Sequence, residues 1–180
     1  LRLSAETVMT IEGLPVTERD RGENSAIQLF TQGARQVRPA FELDAATLPA
    51  VRRICILVDG MPLAILLAAA WVDTLSVDDI EVEIIRNLDL LETELSDIPE
   101  RQRSVRVVIE SSWNQVDPNA QGLLKRLSVF RGGFTREAAQ GAAGATLRGL
   151  SQLVDKSLLR RDPLSNRYSI HEMLRQYAQQ

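Results

Sequence analysis

Residues 54–65 read ICILVDGMPLAI, and the division of this stretch decides the fold. An aliphatic run ending in an aspartate is the pattern of a buried strand whose carboxylate holds Mg²⁺ beside a phosphate. The spacing favours another division. Leu48, Val51, Cys55 and Val58 fall at intervals of three, four and three, the period of one helix face, with Arg52, Arg53 and Asp59 off that stripe. A buried strand would be short and bounded by turn signals, and only Pro49, which suits a helix's first turn, intervenes. Gly60 then stands where a helix C-terminus wants a left-handed residue, and Pro62 where the next helix wants its first residue. The expectation is helix, tight turn, helix, with Asp59 near the end of the first.

Neighbouring segments extend the pattern. Ser25-Ala-Ile-Gln28 has capping-box spacing, and Ile27, Phe30, Ala34 and Val37 share one face of the helix it opens. The helix from Pro62 to about residue 73 is apolar all round and must be buried on most sides. Ser76 caps a further helix with acids in its first turn, carrying Val77, Ile80, Ile84, Leu88 and Leu91 inward. Residues 6–11 alternate as a short strand would, and 13–24 read as a loop.

Beyond Pro99 the layout changes. One helix carries Val105, Val108, Ile109 and Trp113. Asp117-Pro118 caps and opens the next, which holds Leu123, Leu124, Leu127 and Phe130. Thr135 caps an alanine-rich helix, and Leu147, Leu150 and Val154 mark another. Residues 157–161 and 167–170 then flank a five-residue turn as a hairpin, and a last helix runs through Met173, Leu174 and Tyr177. The fold class is mostly α: a helical bundle followed by a winged-helix domain with a small β-hairpin.

Charge divides at the same place. Residues 1–97 hold 8 Lys+Arg against 17 Asp+Glu, and residues 98–180 hold 13 against 7, so a net −3 conceals −9 and +6. The expected organisation is a last strand and linker (1–24), a helical domain (25–97) and a winged-helix domain (98–180), with the boundary near Asp97-Ile98-Pro99. Aromatics at 4% favour helices packed through aliphatic side chains over a base-stacking platform. The single Cys55 forms no internal disulfide and reads as a buried thiol in a cytoplasmic protein. The ten-residue apolar run 63–72 is short of the roughly 20 residues a bilayer span needs. The chain opens at Leu1 in mid-pattern, as the continuation of a preceding core would.

Several chemistries lack their residues. A phosphate-cradling Gly-x-x-x-x-Gly-Lys-Ser/Thr loop is absent, since the only lysines, Lys125 and Lys156, follow Leu124 and Asp155. One His and one Cys make no zinc set, and no Ser/His/Asp order suggests a nucleophile. No catalytic or metal-binding residue is assigned. Trp71 and Trp113 read as core, and Arg35, Arg38 and Arg52 as solvated helix charges.

The succession ILVDGMPLAILLAAAW (56–71), LLKRLSVFRGGFTREAA (123–139), LVDKSLLRR (153–161) and RYSIHEMLRQYA (167–178) resembles the C-terminal half of the nucleotide-binding module of STAND-class regulators. These include the NB-ARC proteins, and the bacterial LuxR-type and TPR-containing ATPase regulators are the nearer match. The resemblance implies that Gly60-Met61-Pro62-Leu63 matches the family's Gly-Leu-Pro-Leu, whose proline packs beside the nucleotide base. It implies likewise that His171, flanked by Ile170 and Glu172 in place of Met and Asp, touches the β-phosphate of ADP. An imidazole suits that task as a directed donor.

The implied function is the regulatory half of an ATP/ADP-dependent switch, slow to hydrolyse, with Mg²⁺ and most of the nucleotide held by an upstream P-loop domain of the same chain. A downstream TPR or sensor domain and a homo-oligomer are the implied partners. The alternative is a DNA-binding winged helix, motivated by the +6 charge, with Arg148, Ser151, Gln152 and Lys156 on the recognition helix. Asp155 opposes its two cations, which leaves phosphate neutralisation thin.

Overall fold

A computed structural model describes residues 13–16, 25–93 and 103–180. The expected strand at 6–11 and the boundary near Asp97-Ile98-Pro99 lie outside them. Among the described residues the chain forms nine α-helices and one small antiparallel hairpin.

The helices of the first half are α1 (Ser25–Val37), α2 (Leu48–Leu57), α3 (Pro62–Ala69) and α4 (Val77–Arg86). Stretch 54–65 divides as its spacing indicates: α2 ends at Leu57, and Pro62 opens α3. Val51, Ile54, Cys55 and Val58 are fully buried, with Ile65 and Ala68 of α3. Burial pushes the Cys55 thiol up to about 12, so it is an inert core group. α3 tightens into a 3₁₀ turn over Ala70–Asp73. Ser76 caps α4 by accepting from the Asp79 amide.

Two details depart from the sequence reading. Val37 is exposed, so the buried face of α1 ends at Ala34. Leu88 and Leu91 are buried as expected but lie beyond α4, in and just after a 3₁₀ turn at Leu88–Leu90. Arg35 and Arg38 also do more than solvate a helix, because they donate to the carbonyls of Phe41 (3.2 Å) and Val72 (3.4 Å). The Nε of Arg52 is buried with no hydrogen-bond partner.

The second half holds α5 (Val105–Trp113), α6 (Pro118–Leu127), α7 (Arg136–Ala143), α8 (Leu147–Asp155), strands β1 (Arg160–Arg161) and β2 (Tyr168–Ser169), and α9 (Glu172–Ala178). Asp117, Thr135 and Thr146 cap α6, α7 and α8 through their side chains. Leu150 and Leu153 form the buried stripe of α8, whereas Leu147 is exposed. Phe130 falls in the loop after α6.

The hairpin strands are shorter than the sequence suggests. The amides of Leu158 and Leu159 both donate to the carbonyl of Leu153, closing the end of α8, so pairing starts only at Arg160. Tyr168 compensates on its other side by exchanging two 2.8 Å backbone hydrogen bonds with Phe134.

The two halves meet at the 3₁₀ turn Leu88–Leu90, which packs against α4, α5 and α9. Three interactions fasten this joint. Trp71 donates through Nε1 to the Leu90 carbonyl (2.7 Å), the Val105 amide donates to the Leu91 carbonyl (3.1 Å), and Arg106 pairs with Asp89 (2.7 Å).

Candidate functional site

The turn between α2 and α3 is built from two consecutive left-handed residues, Asp59 (φ 49°) and Gly60 (φ 65°). Aspartate tolerates that conformation better than most residues. The amide of Gly60 returns to the Cys55 carbonyl, which closes the end of α2. Residues 13–16 cross directly over this turn, the Leu14 amide donating to the Gly60 carbonyl at 2.9 Å. The crossing is close: a Cβ on Gly13 would stand 2.0 Å from the Asp59 carbonyl oxygen. Pro62 follows, exposed, and Leu63 is half-buried against the core.

His171 caps α9. Its Nδ1 accepts from the Met173 amide (3.3 Å), so the neutral ring carries its proton on Nε2. That nitrogen faces Oδ2 of Asp59 at 3.7 Å. The same oxygen is 3.4 Å from the Arg160 guanidinium on β1. Thus the α2–α3 turn and His171, 112 positions apart, come together at one edge of the molecule, with Arg160 as a third member.

Of the residues singled out in the sequence, Gly60, Pro62 and Leu63 lie in or just after the α2–α3 turn and His171 faces that turn through Asp59; Asp59 and Arg160 were not singled out as contacts. Asp59 was expected at the end of a helix; it stands two residues past it, in a conformation that aims its carboxylate across the boundary. The readable signal was the opposite charge in Arg160-Arg161, on the strand leading into the hairpin.

Burial pushes the His171 imidazole below its ordinary value; Asp59 opposes this, Arg160 adds to it and Glu172 opposes it. A histidine depressed in the folded state contributes stability that is present above its unfolded value and lost as pH falls from there through the folded one. His171 is the only imidazole in the chain. The melting temperature is therefore expected to decline as pH is lowered from 7.5 to 5.5, and His171→Gln to flatten that decline in thermal melts followed by circular dichroism.

Glu172 sits beside it. Burial alone would raise its carboxyl, but the Arg175 guanidinium, bonded to both its oxygens at 2.6 and 2.8 Å, holds it below the ordinary value. Arg175 is itself buried and also reaches the Ser128 carbonyl at 3.3 Å.

The candidate nucleic-acid face is less open than its sequence suggests. Arg148 and Ser151 are exposed on α8 and Lys156 is exposed just past its end, but the amide of Gln152 is engaged by the Asp117 carboxylate at the cap of α6. Among the described residues no helix is long and apolar enough to cross a membrane.

The fold and site define a helical bundle and a winged helix that share a joint and touch again through charged side chains at one edge. No protein-family model matches the chain, and no solved structure matches it. An uncharacterized protein of Mycobacterium tuberculosis is 35% identical over 166 residues, covering 86% of this chain and 42% of that protein. A second M. tuberculosis protein, described provisionally as an HTH-type transcriptional regulator, is 32% identical over 189 aligned positions, covering 98% of this chain and 20% of that protein. Mycobacterium bovis proteins match at the same levels. The chain is thus distantly similar, over nearly its whole length, to one part of a larger regulator. It spans about a fifth to two fifths of the curated relatives it matches.

Proposed function

We propose that this chain is the regulatory half of an ATP/ADP-dependent signalling switch, closing over a nucleotide held mainly by a P-loop domain earlier in the parent protein. The observation that carries the reading is the meeting of the α2–α3 turn with His171, whose Nε2 lies 3.7 Å from Asp59. These are the two places where the resemblance to STAND-class regulators puts nucleotide contacts. Residues here fit the group: Pro62 offers a rigid exposed ring at the start of α3, and the free amides behind it carry partial positive charge. His171 and Arg160 supply directed donors suited to a phosphate. The nucleotide supplies the phosphate whose loss or exchange changes the switch, while this chain's residues orient it and hold its halves together. Similarity to a much longer regulator supports further domains in the parent; a TPR or sensor domain and self-association belong to the reading itself.

In the full-length protein, His171→Ala is expected to speed ADP release about tenfold, the value of one charge-assisted hydrogen bond. Stopped-flow release of a fluorescent ADP measures it, and an unchanged off-rate would sink the reading.

The second reading, DNA binding through Arg148, Gln152 and Lys156, is favoured by the relative described as an HTH-type regulator. Duplex binding that weakens steeply with salt would support it, and no binding at low salt would remove it.

A further inference from the structure

The contact at Asp59 has a role that needs no nucleotide. Between the joint at Leu88–Leu90 and the Asp59 edge, the two halves are separated by a cleft of about 390 Å³. Leu57, Ile85 and Leu88 line it on one side, and Arg131, Arg175 and Gln179 on the other. Leu57 is two residues before Asp59, and Glu172, also on the wall, adjoins His171. Its lining thus includes Leu88 of the joint and residues close in sequence to Asp59 and His171.

We propose that Asp59 is the catch of a closure latch: its carboxylate, held at the left-handed α2–α3 turn, grips Arg160 of the hairpin and faces His171, and so keeps the winged helix folded against the helical bundle. Three features fit it for this. Its backbone is fixed by the Gly60 amide and by the crossing of residues 13–16, so the carboxylate is presented from a rigid base. Arg160 lies in the hairpin, paired to Ser169, so a force on its guanidinium moves the hairpin as a unit. The contact is also solvent-accessible, with Asp59 and Arg160 side chains 45% and 48% exposed. Exposed pairs are weak and screened by salt, which makes the latch easy to release. It shares His171 and Arg160 with the proposed phosphate contact, but it stands on the ion pair and the cleft and is tested without nucleotide.

The test attaches spin labels to Gln32→Cys on α1 and Gln140→Cys on α7, both exposed positions. Cys55, buried with an unreactive thiol, stays unlabelled. Distances are measured by pulsed electron resonance without nucleotide, in the full-length protein and in this 180-residue chain. Asp59→Asn preserves the left-handed turn, and Arg160→Gln leaves it untouched. Each is expected to raise the ratio of long to short distances about two- to fivefold, the range for an exposed ion pair. The double variant should do no more than either single one, and high salt should open the unmodified protein in the same way. Unchanged distances in both single variants, or effects that simply add in the double, would overturn the latch. Circular dichroism of each variant confirms that its fold is retained. Since no nucleotide is present, failure here is distinct from an unchanged ADP off-rate in His171→Ala.

Discussion

Gly60→Ala is expected to cost about 3 kcal/mol of folding stability, lowering the melting temperature by roughly 6–12 °C for a chain of this size. Two effects combine. At φ 65° a Cβ is strained whatever the space around it. In addition, that Cβ would stand 2.1 Å from the Leu14 carbonyl oxygen and 2.7 Å from the Leu14 amide nitrogen. Both are main-chain atoms and cannot swing aside, so either the turn or the crossing segment must give way. Gly141→Ala is the control. It lies within α7 with nothing near its added Cβ, and there alanine should stabilise by about 0.5–1 kcal/mol. Urea denaturation of both variants separates a general glycine effect from the specific crossing: equal changes would refute the role given to Gly60.

Arg175→Ala is the second large effect, at about 2 kcal/mol. Arg175 is buried while the Glu172 side chain is 34% exposed, so removing the guanidinium leaves a partly screened carboxylate without its partner. Glu172 would lose both oxygens' contacts with the guanidinium and keep only the Gln176 amide at 3.2 Å. The Ser128 carbonyl would keep Gln179 at 3.0 Å, so the loss falls mainly on the carboxylate. Its pH signature has a definite sign. A carboxyl depressed in the folded state contributes stability present above its unfolded value and lost as pH falls through the folded one. The unmodified protein should therefore lose stability below about pH 4.5, and Arg175→Ala should show less of that loss. If Arg175→Met with Glu172→Gln restores most of the stability, the cost came from the orphaned charge rather than from lost packing. Denaturant midpoints at pH 7 and pH 4 distinguish the two.

Much of the architecture was legible because its signals are local. Ser76, Asp117 and Thr135 each accept from amides at the helix starts they marked. The spacing of Val51, Cys55 and Val58 chose a helix over a strand, and all three are fully buried. Ends were harder to read, because tertiary contacts set them. Leu88 and Leu91 keep the apolar period of α4 yet belong to the joint, where Asp89 and Arg106 hold the chain in a tighter turn. The hairpin strands shrank because two amides that could have paired across it close α8 instead.

The candidate site was legible only in part. His171 and the glycine-proline turn stand out as residue types, one a lone imidazole and the other a backbone requirement. Asp59 ends an aliphatic run and Arg160 stands in a pair of cations, but neither signal identifies the other as its partner. Their partnership exists only because the fold brings residue 59 and residue 160 to one edge. Charge asymmetry between the halves gave a coarse hint, and the pairs Asp59–Arg160 and Asp89–Arg106 are where it becomes specific.

The crossing of residues 13–16 over the α2–α3 turn has a mechanical consequence. The hydrogen bond from Leu14 ends on the carbonyl of Gly60, immediately after the residue whose carboxylate holds Arg160. A pull on the chain ahead of Gly13 is delivered to that peptide, with no side chain between to absorb it, because neither Gly13 nor Gly60 has one. Tension on residues 13–16 would thus reach the main chain within one residue of Asp59, whose carboxylate pairs with Arg160 across the two halves.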